Sequence, residues 1–257
     1  MKHRTLLTCM CGLILFGSCK DQPTQNEQPL EVMTFNIRLD APSDSANNWK
    51  YRKDNVCKMI AYYQPDLLGM QEVCHNQMED LKLGLPQYTA LGVGRDDGKE
   101  AGEYCPVFFK TDRFTLVAIL QKKSDGKKLV FFNTHLDNDG KTARKEGVQL
   151  ILNKIKETAP HMPAIITGDF NCTPGEAPLQ TLEKGGMKNT SKVATVMYGP
   201  SWSFHDFGRL PMEKRVLLDY VFVTNGTKTD RYRVIQDTPE NGFLSDHNPV
   251  LVNITLQ

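Results

Sequence analysis

Eight side chains in this sequence are of types that can bind a hard metal ion or move a proton. They are Asn36, Glu72, His135, Asp169, Asn171, Asp219, Asp246 and His247, and each lies within or at the end of a short apolar stretch. Carboxylates and amides offer oxygen, imidazoles offer nitrogen, and no thiolate set accompanies them. Oxygen-rich ligation suits Mg²⁺, Mn²⁺ or Ca²⁺ and disfavours tetrahedral zinc. If the stretches end at one place, the chemistry available there is metal-assisted attack of water on a phosphate ester.

The segment from Pro163 to Thr173, P-A-I-I-T-G-D-F-N-C-T, shows the pattern most clearly. Pro163 to Thr167 reads as a buried strand, apolar and partly β-branched between Pro and Gly. Gly168 lets the chain turn, and Asp169 and Asn171 project beyond the strand's C-terminal end, where α/β folds place ligands. In an extended chain the two share a side-chain direction. Taken alone, Gly-Asp-Phe-Asn is also an ordinary turn; the recurrence of strand and polar tip elsewhere favours a site.

The elements that must position these groups are short strands interleaved with helices, then a strand-rich tail. Strands are expected at Glu31 to Ile37, Asp66 to Met70, Tyr88 to Val93, Val107 to Lys110, Phe114 to Leu120 and Leu129 to Asn133. Later ones follow at Val216 to Thr224, Arg231 to Gln236 and Val250 to Leu256. Val56, Met59, Ile60 and Tyr63 recur at helical spacing before Pro65, and Asn76 to Leu83 forms a short helix. Thr142 to Glu157 is amphipathic, with Val148, Ile151, Leu152 and Ile155 on one face. Lys141, Arg144 and Lys145 then read as a solvated helix start, and Gly94 to Glu103 as an exposed loop.

With 257 residues, 40% of them hydrophobic, the chain can bury one large core, and no Pro/Ser-rich linker divides its body. Lys2, His3 and Arg4 precede an apolar run from Leu6 to Phe16, too short to span a bilayer, so residues 1–18 read as a secretory signal. The residues before Cys19 resemble a bacterial lipobox, which implies a lipidated Cys19 holding the protein on a membrane. Ordinary cleavage, giving a soluble periplasmic protein, is the alternative. Residues 19–29 form a flexible tether and 30–257 the folded domain.

Loss of Lys2 and Arg4 with the leader takes the net charge from +1 to −1, two positive charges fewer, so no global basic field attracts polyanions. Cys57, Cys74, Cys105 and Cys172 lie in strand or helix patterns, contain no CxxC pair and read as free thiols. His75 and His205 read as loop histidines, His205 near a rim.

Six motifs in order carry a family resemblance: T-F-N-I-R at Thr34 to Arg38, G-M-Q-E at Gly69 to Glu72, N-T-H-L-D at Asn133 to Asp137, G-D-F-N at Gly168 to Asn171, D-Y-V-F at Asp219 to Phe222 and S-D-H-N-P-V at Ser245 to Val250. Over residues 30–257 the sequence resembles the endonuclease/exonuclease/phosphatase family, which includes deoxyribonuclease I, neutral sphingomyelinases and inositol polyphosphate 5-phosphatases. The resemblance implies a four-layer α/β/β/α sandwich of two mixed sheets with the site along one edge.

It also implies roles. Glu72 is the principal metal ligand, with Asn36 and Asp246 close to the metal. Asp169, assisted by Asn171, activates water; His247 stabilises the transition state or protonates the leaving oxygen, with Asp246 fixing its tautomer. His135, Asn171 and Arg38 contact the phosphate, and Asp219 orients His135. Similar sequences carry a further strand between Leu116 and Gln121, with an Arg that approaches the phosphate, and often a His in place of Asn138. The implied protein is a Mg²⁺-dependent phosphoesterase, monomeric and exported to the cell envelope. Its substrate is a nucleic acid, a phospholipid head group as in sphingomyelinases, or a small phosphoester. A catalytically impaired surface binding protein derived from such an enzyme is the alternative.

Overall fold

The structure, a computed structural model, describes residues 28–117, 119–240 and 242–256. The expected leader, Cys19 and the tether as far as residue 27 lie outside the described residues.

In chain order the elements are β1 (Leu30–Asn36), α1 (Trp49–Tyr63), β2 (Leu67–Gln71), α2 (His75–Gly84), β3 (Tyr88–Leu91), β4 (Val107–Lys110), β5 (Phe114–Leu116), β6 (Leu120–Lys122) and β7 (Lys128–His135). There follow α3 (Lys141–Thr158), β8 (Ala164–Asp169), α4 (Ala177–Lys184), β9 (Met187–Asn189), α5 (Thr190–Val193), β10 (Val196–Tyr198), β11 (Asp219–Thr224), β12 (Lys228–Val234) and β13 (Val250–Thr255).

Two mixed sheets result, ordered β10-β12-β13-β1-β2-β4-β3 and β5-β6-β7-β8-β11-β9. The two-residue period of the strands decides what each face buries. Leu30 and Val32 of β1 join Ile165 of β8, Val221 and Val223 of β11 and Val252 of β13 in a core between the sheets. Met33 and Phe35, one step out of phase, pack against Trp49, Val56 and Ile60 of α1. On the opposite side Ala164 and Ile166 meet Val148, Leu152 and Ile155 of α3. Helix, sheet, sheet and helix make the expected four-layer sandwich.

Three local expectations change. Phe114 to Leu120 is not one strand: Val117 N–H donates to the Ile119 carbonyl at 2.9 Å, and the chain reverses between β5 and β6. The further strand of similar sequences is thus replaced by a tight hairpin, and β6 pairs with β7 only at Lys128 and Leu129. Val216 to Leu218 precede β11 instead of extending it, because Val216 bridges Phe204. Arg144 is not solvated but buried, donating from one guanidinium nitrogen to the carbonyls of Asp137 and Asn138 at 2.9 and 3.0 Å. Lys141 and Lys145 are exposed.

Candidate active site

Toward one edge the inter-sheet layer changes from apolar to polar. After Leu30 and Val32, the same face of β1 carries Thr34 and Asn36, both fully buried. On β8 Ile165 is followed by Thr167 and Asp169, and on β7 Leu129 is followed at the same period by Asn133 and His135. Buried polar groups require partners. Gln71 Nε2 donates to Thr34 Oγ1 at 3.1 Å and to Asn133 Oδ1 at 2.6 Å, and Thr167 Oγ1 donates to Asn133 Oδ1 at 3.0 Å. Asn133 Nδ2 returns bonds to the Met70 and Pro106 carbonyls. This network ties one sheet to the other directly behind the site. Gly69 makes the approach feasible, because a Cβ there would stand 2.2 Å from Thr167 Oγ1 and 2.4 Å from Asn133 Oδ1.

Beyond the strand ends the backbone turns sharply. Arg38, Glu72 and Asn171 adopt left-handed φ values of 59°, 59° and 46°, a costly conformation for non-glycine residues that concentrates at functional sites. The side chains of Asp169 and Asn171 therefore converge through a turn and not through strand alternation: Asn171 N–H donates to Asp169 Oδ1 at 2.9 Å. Asn36 Oδ1 accepts from Arg38 N–H, so its Nδ2 faces two carboxylates, donating to Glu72 Oε1 at 2.8 Å and Asp169 Oδ2 at 3.0 Å. In this arrangement Asn36 orients both acids with its N–H groups. Leu39 N–H holds the other Glu72 oxygen at 3.2 Å.

Asp169 Oδ2 lies between two imidazoles, 3.6 Å from His135 Nε2 and 3.7 Å from His247 Nε2. Behind His247, its Nδ1 is 2.7 Å from Asp219 Oδ2. The tautomer-fixing carboxylate of His247 is thus Asp219, whereas Asp246, its neighbour in sequence, faces Arg38 at 3.9 Å. His135 in turn has Glu103 Oε2 3.7 Å from its Nδ1 and Asn171 Nδ2 3.1 Å from its Nε2, so Asp219 does not orient it. Glu103 is the partner that sequence reasoning missed. It closes a Gly-rich, charged loop without periodicity, and only its proximity to the antiparallel contact between Val73 and Tyr104 brings it to the site.

The electrostatics follow from burial and charge together. Burial and the adjacent Asp219 push the Asp169 carboxyl above the usual range. Burial alone would lower His247, but Asp219 and Asp169 overcome it and hold the imidazole well above its ordinary value. His135 behaves similarly, burial being outweighed first by Glu103. Burial, reinforced by Glu72, raises Asp246. Arg38 donates through two nitrogens to Asp44, at 3.0 and 3.2 Å, while another lies 3.8 Å from Glu72.

Glu72, His135 and Asp169 can each offer a ligand atom, and these lie within 4.8 Å of one another. With Asp246 also lining the cleft, carboxylates outnumber the guanidinium groups of Arg38 and Arg95 there. This oxygen-rich donor set fits a hard divalent cation. The cleft has a volume of about 660 Å³. All eight polar tips, with Arg38, belong to the same edge of the sandwich. His75 instead bonds Tyr104 Oη through its Nδ1 at 3.0 Å, and His205 is buried, 3% exposed, and no rim residue. Cys57, Cys74, Cys105 and Cys172 are free thiols.

Comparison with known proteins agrees with this geometry. The family model described as Endonuclease/Exonuclease/phosphatase family matches residues 33–247. A family protein of Bacteroides vulgatus superposes with a TM-score of 0.86 at 38% identity, covering 90% of this chain and 100% of that one. The mannosyl-6-phosphatase of Bacteroides thetaiotaomicron gives 0.84 at 30% identity, over 88% and 100% of the chains. The human Nocturnin catalytic domain, at 18% identity and a TM-score of 0.72 over 90% and 94%, shares the fold. Xenopus laevis Nocturnin is 28% identical over an alignment 207 residues long that covers 63% of this chain and 52% of that protein. The chain spans about half, or less, of the Nocturnin sequences it matches. The match over residues 33–247, on a sandwich whose six motifs converge at one edge, places the chain in the endonuclease/exonuclease/phosphatase family, a family of hydrolases acting on phosphate esters.

Proposed function

We propose that this chain is a divalent-metal-dependent phosphoesterase that cleaves phosphate esters by attack of water. The observation that carries the proposal is the buried Asp169 carboxylate set between two imidazoles, one of them backed at 2.7 Å by Asp219. Asp169 takes the proton from the attacking water, with Asn171 holding the carboxylate's neighbourhood in place. His247 protonates the leaving oxygen, and Asp219 stabilises the imidazolium before the transfer. His135, Asn171 and Arg38 face the non-bridging phosphate oxygens. Proton transfers of this kind contribute about 10²- to 10⁴-fold each.

Glu72, its carboxylate oriented by Asn36, and Asp246 would hold Mg²⁺, with Mn²⁺ or Ca²⁺ as alternatives. Such an ion supplies Lewis-acid neutralisation of charge on the phosphate. The leader and the lipobox-like residues before Cys19 support export and attachment to the cell envelope through a lipid, and the single sandwich supports a monomer.

The test is hydrolysis of p-nitrophenyl phosphate and bis-p-nitrophenyl phosphate with Mg²⁺, Mn²⁺ or EDTA, with Asp169→Asn as control. Metal-dependent turnover, lost in the control by 10²-fold or more, supports the proposal. A folded, metal-binding protein that turns over neither ester would favour a surface binding protein. The short β5–β6 hairpin, which leaves β7 beyond Leu129 uncovered by β6, is the observation behind that second reading.

A further inference from the structure

Away from the cleft the sandwich leaves one cluster of large side chains uncovered. β10 is an outermost strand of the seven-stranded sheet, and its residues Val196, Met197 and Tyr198 are all exposed, as is Val193 at the end of α5. The two-residue period puts Val196 and Tyr198 on the face where their partners on β12 are Arg231 and Arg233. Along that face Arg233 lies against two rings, its guanidinium carbon 5.6 Å from the Tyr198 ring centre and 5.2 Å from that of Tyr63. Tyr63 in turn meets Tyr62 edge-on, with centroids 5.0 Å apart. Tyr198 and Tyr62 are 73% and 80% exposed, so neither ring serves the core. Each cation here faces a carboxylate: Arg231 faces Glu31, Arg233 faces Asp237, and Lys192 and Lys228 at the margin face Glu183 and Asp230. The result is a continuous aromatic and aliphatic patch without net charge, and none of its residues lines the cleft.

Sheet register fixes where this patch stands relative to the point at which the chain enters the domain. Glu31 of β1 pairs with Asn253, Asn253 with Arg231, and Arg231 with Val196. Val196 is therefore level with the start of β1 and three strand spacings from it, about 14 Å. Residues 20–27, which join Cys19 to the described chain, span at most roughly 30 Å. An acyl chain on Cys19 thus keeps a bilayer within reach of the patch, while Asn36 and the catalytic edge stand about 17 Å further along β1. Tyrosine, with an apolar body and a polar tip, suits the boundary between headgroups and acyl chains. A second copy of the chain suits the patch less well. A stable interface takes about 20–30 residues from each side, and β10 offers a strand of 3 residues for edge pairing.

Resting on the lipid attachment proposed at Cys19, we infer that β10, with Val193 and with Tyr62 and Tyr63 of α1, is the face that lies against the bilayer. Its exposed rings and aliphatic side chains enter the headgroup boundary, and the anchor supplies the local concentration that lets a small patch suffice. Because the charges of the face are matched, zwitterionic lipid is enough.

The three cores are built entirely from residues 30–256, so the domain from Gln28 to Gln257 folds without its leader and can be tested free of any acyl chain. Co-sedimentation with phosphatidylcholine vesicles at low and high NaCl compares the natural domain, the double variant Tyr62→Ser/Tyr198→Ser and, as control, Leu150→Ser. Leu150 is exposed on α3, on the opposite side of the sandwich, and the melting temperature checks that each protein is folded. The natural domain and the control should partition equally, with little dependence on salt. The double variant should bind about tenfold or more weakly, as expected when two interfacial rings are lost. Failure of the natural domain to partition, an equal loss in Leu150→Ser, or a doubled mass in solution that the double variant returns to the monomer overturns the inference; the last assigns the face to a second copy. Acyl labelling of the full chain against Cys19→Ser tests the anchor separately. A labelled chain whose domain ignores vesicles leaves the attachment standing without this face, and partition by a chain that takes no label leaves the face standing without the anchor.

Discussion

Replacing Asp219 by Asn separates the arrangement observed here from the one its sequence suggests. Asp219 Oδ2 and His247 Nδ1 are 2.7 Å apart, and both side chains are buried. Asn conserves the shape and removes the charge. A charge-assisted hydrogen bond contributes about 1.5–3 kcal/mol, and the Coulomb energy of such a pair has a ceiling of about 4 kcal/mol at an effective dielectric of about 20. The loss in transition-state stabilisation is then about 2–4 kcal/mol, or roughly 30- to 1,000-fold in kcat. The sign of the pH effect is also fixed. Asp219 raises the His247 pKa, so its removal lowers that pKa, and the imidazolium needed to protonate the leaving oxygen is lost at lower pH. The assay is kcat for p-nitrophenyl phosphate against pH at saturating Mg²⁺, with the melting temperature as a check on folding. The alkaline limb should move to lower pH in Asp219→Asn and move less in Asp246→Asn, since Asp246 is the smaller of the charges raising His247; the main loss in Asp246→Asn should appear in metal affinity. A fall of less than threefold, or a limb that moves more in Asp246→Asn than in Asp219→Asn, would refute the assignment of Asp219 to His247.

Two further outcomes test the supports of the site. Gly69→Ala should overpack the layer between Thr167 and Asn133, costing about 1–3 kcal/mol in strain and about 1 kcal/mol for each hydrogen bond displaced. At about 2–4 °C per kcal/mol for a domain of this size, the melting temperature should drop by about 10 °C; a change below about 2 °C would mean that the sheets do not need that close approach. His205, kept neutral first by burial and then by the charges of His247 and Arg215, has its pKa pushed down to about 4. Because the folded value lies below the unfolded one, its contribution is present above about pH 6.5 and is lost as pH falls toward 4, by up to about 3 kcal/mol. Urea titrations across that range should show a shallower pH slope for His205→Phe; an unchanged slope counts against a buried neutral imidazole.

What the sequence made legible is what local periodicity controls. Asn36, Asp169 and Asp219 occupy inward-facing strand positions where apolar residues would otherwise continue, and each interruption marked a site residue. Register and turns, which are long-range or conformationally special, were not legible. Asp246 and His247 are adjacent, and the family resemblance implied that Asp246 fixes the tautomer of His247. Around the bridge joining His247 to Phe204, however, their side chains diverge, His247 to Asp219 and Asp246 to Arg38. Glu103 had no signal at all, since an irregular loop gives no face to count along. Arg144 was misread for a related reason. Its charge suggested solvent, yet the two carbonyls that precede α3 need donors, and a guanidinium supplies them at 2.9 and 3.0 Å.

The strain at the site and the order behind it belong to one arrangement. Left-handed backbone at Arg38, Glu72 and Asn171 costs of the order of 1 kcal/mol or more per residue, and glycine would remove that cost together with the side chains that do the chemistry. The cost is tolerable because the strands that end in these residues are clamped a step earlier, by the Gln71, Asn133 and Thr167 bonds and by the close contact at Gly69. The floor of the cleft is therefore set by sheet register, which loop changes cannot shift easily. The walls are different. Arg95 and Asp206 come from loops, Asp137 from the turn before α3, and β7 beyond Leu129 is left open on the side that β6 does not reach. Variation in those walls can change which ester enters without disturbing Asp169, His247 or Asp219, so substrate choice is expected to reside in the loops and the hydrolytic chemistry in the strand ends.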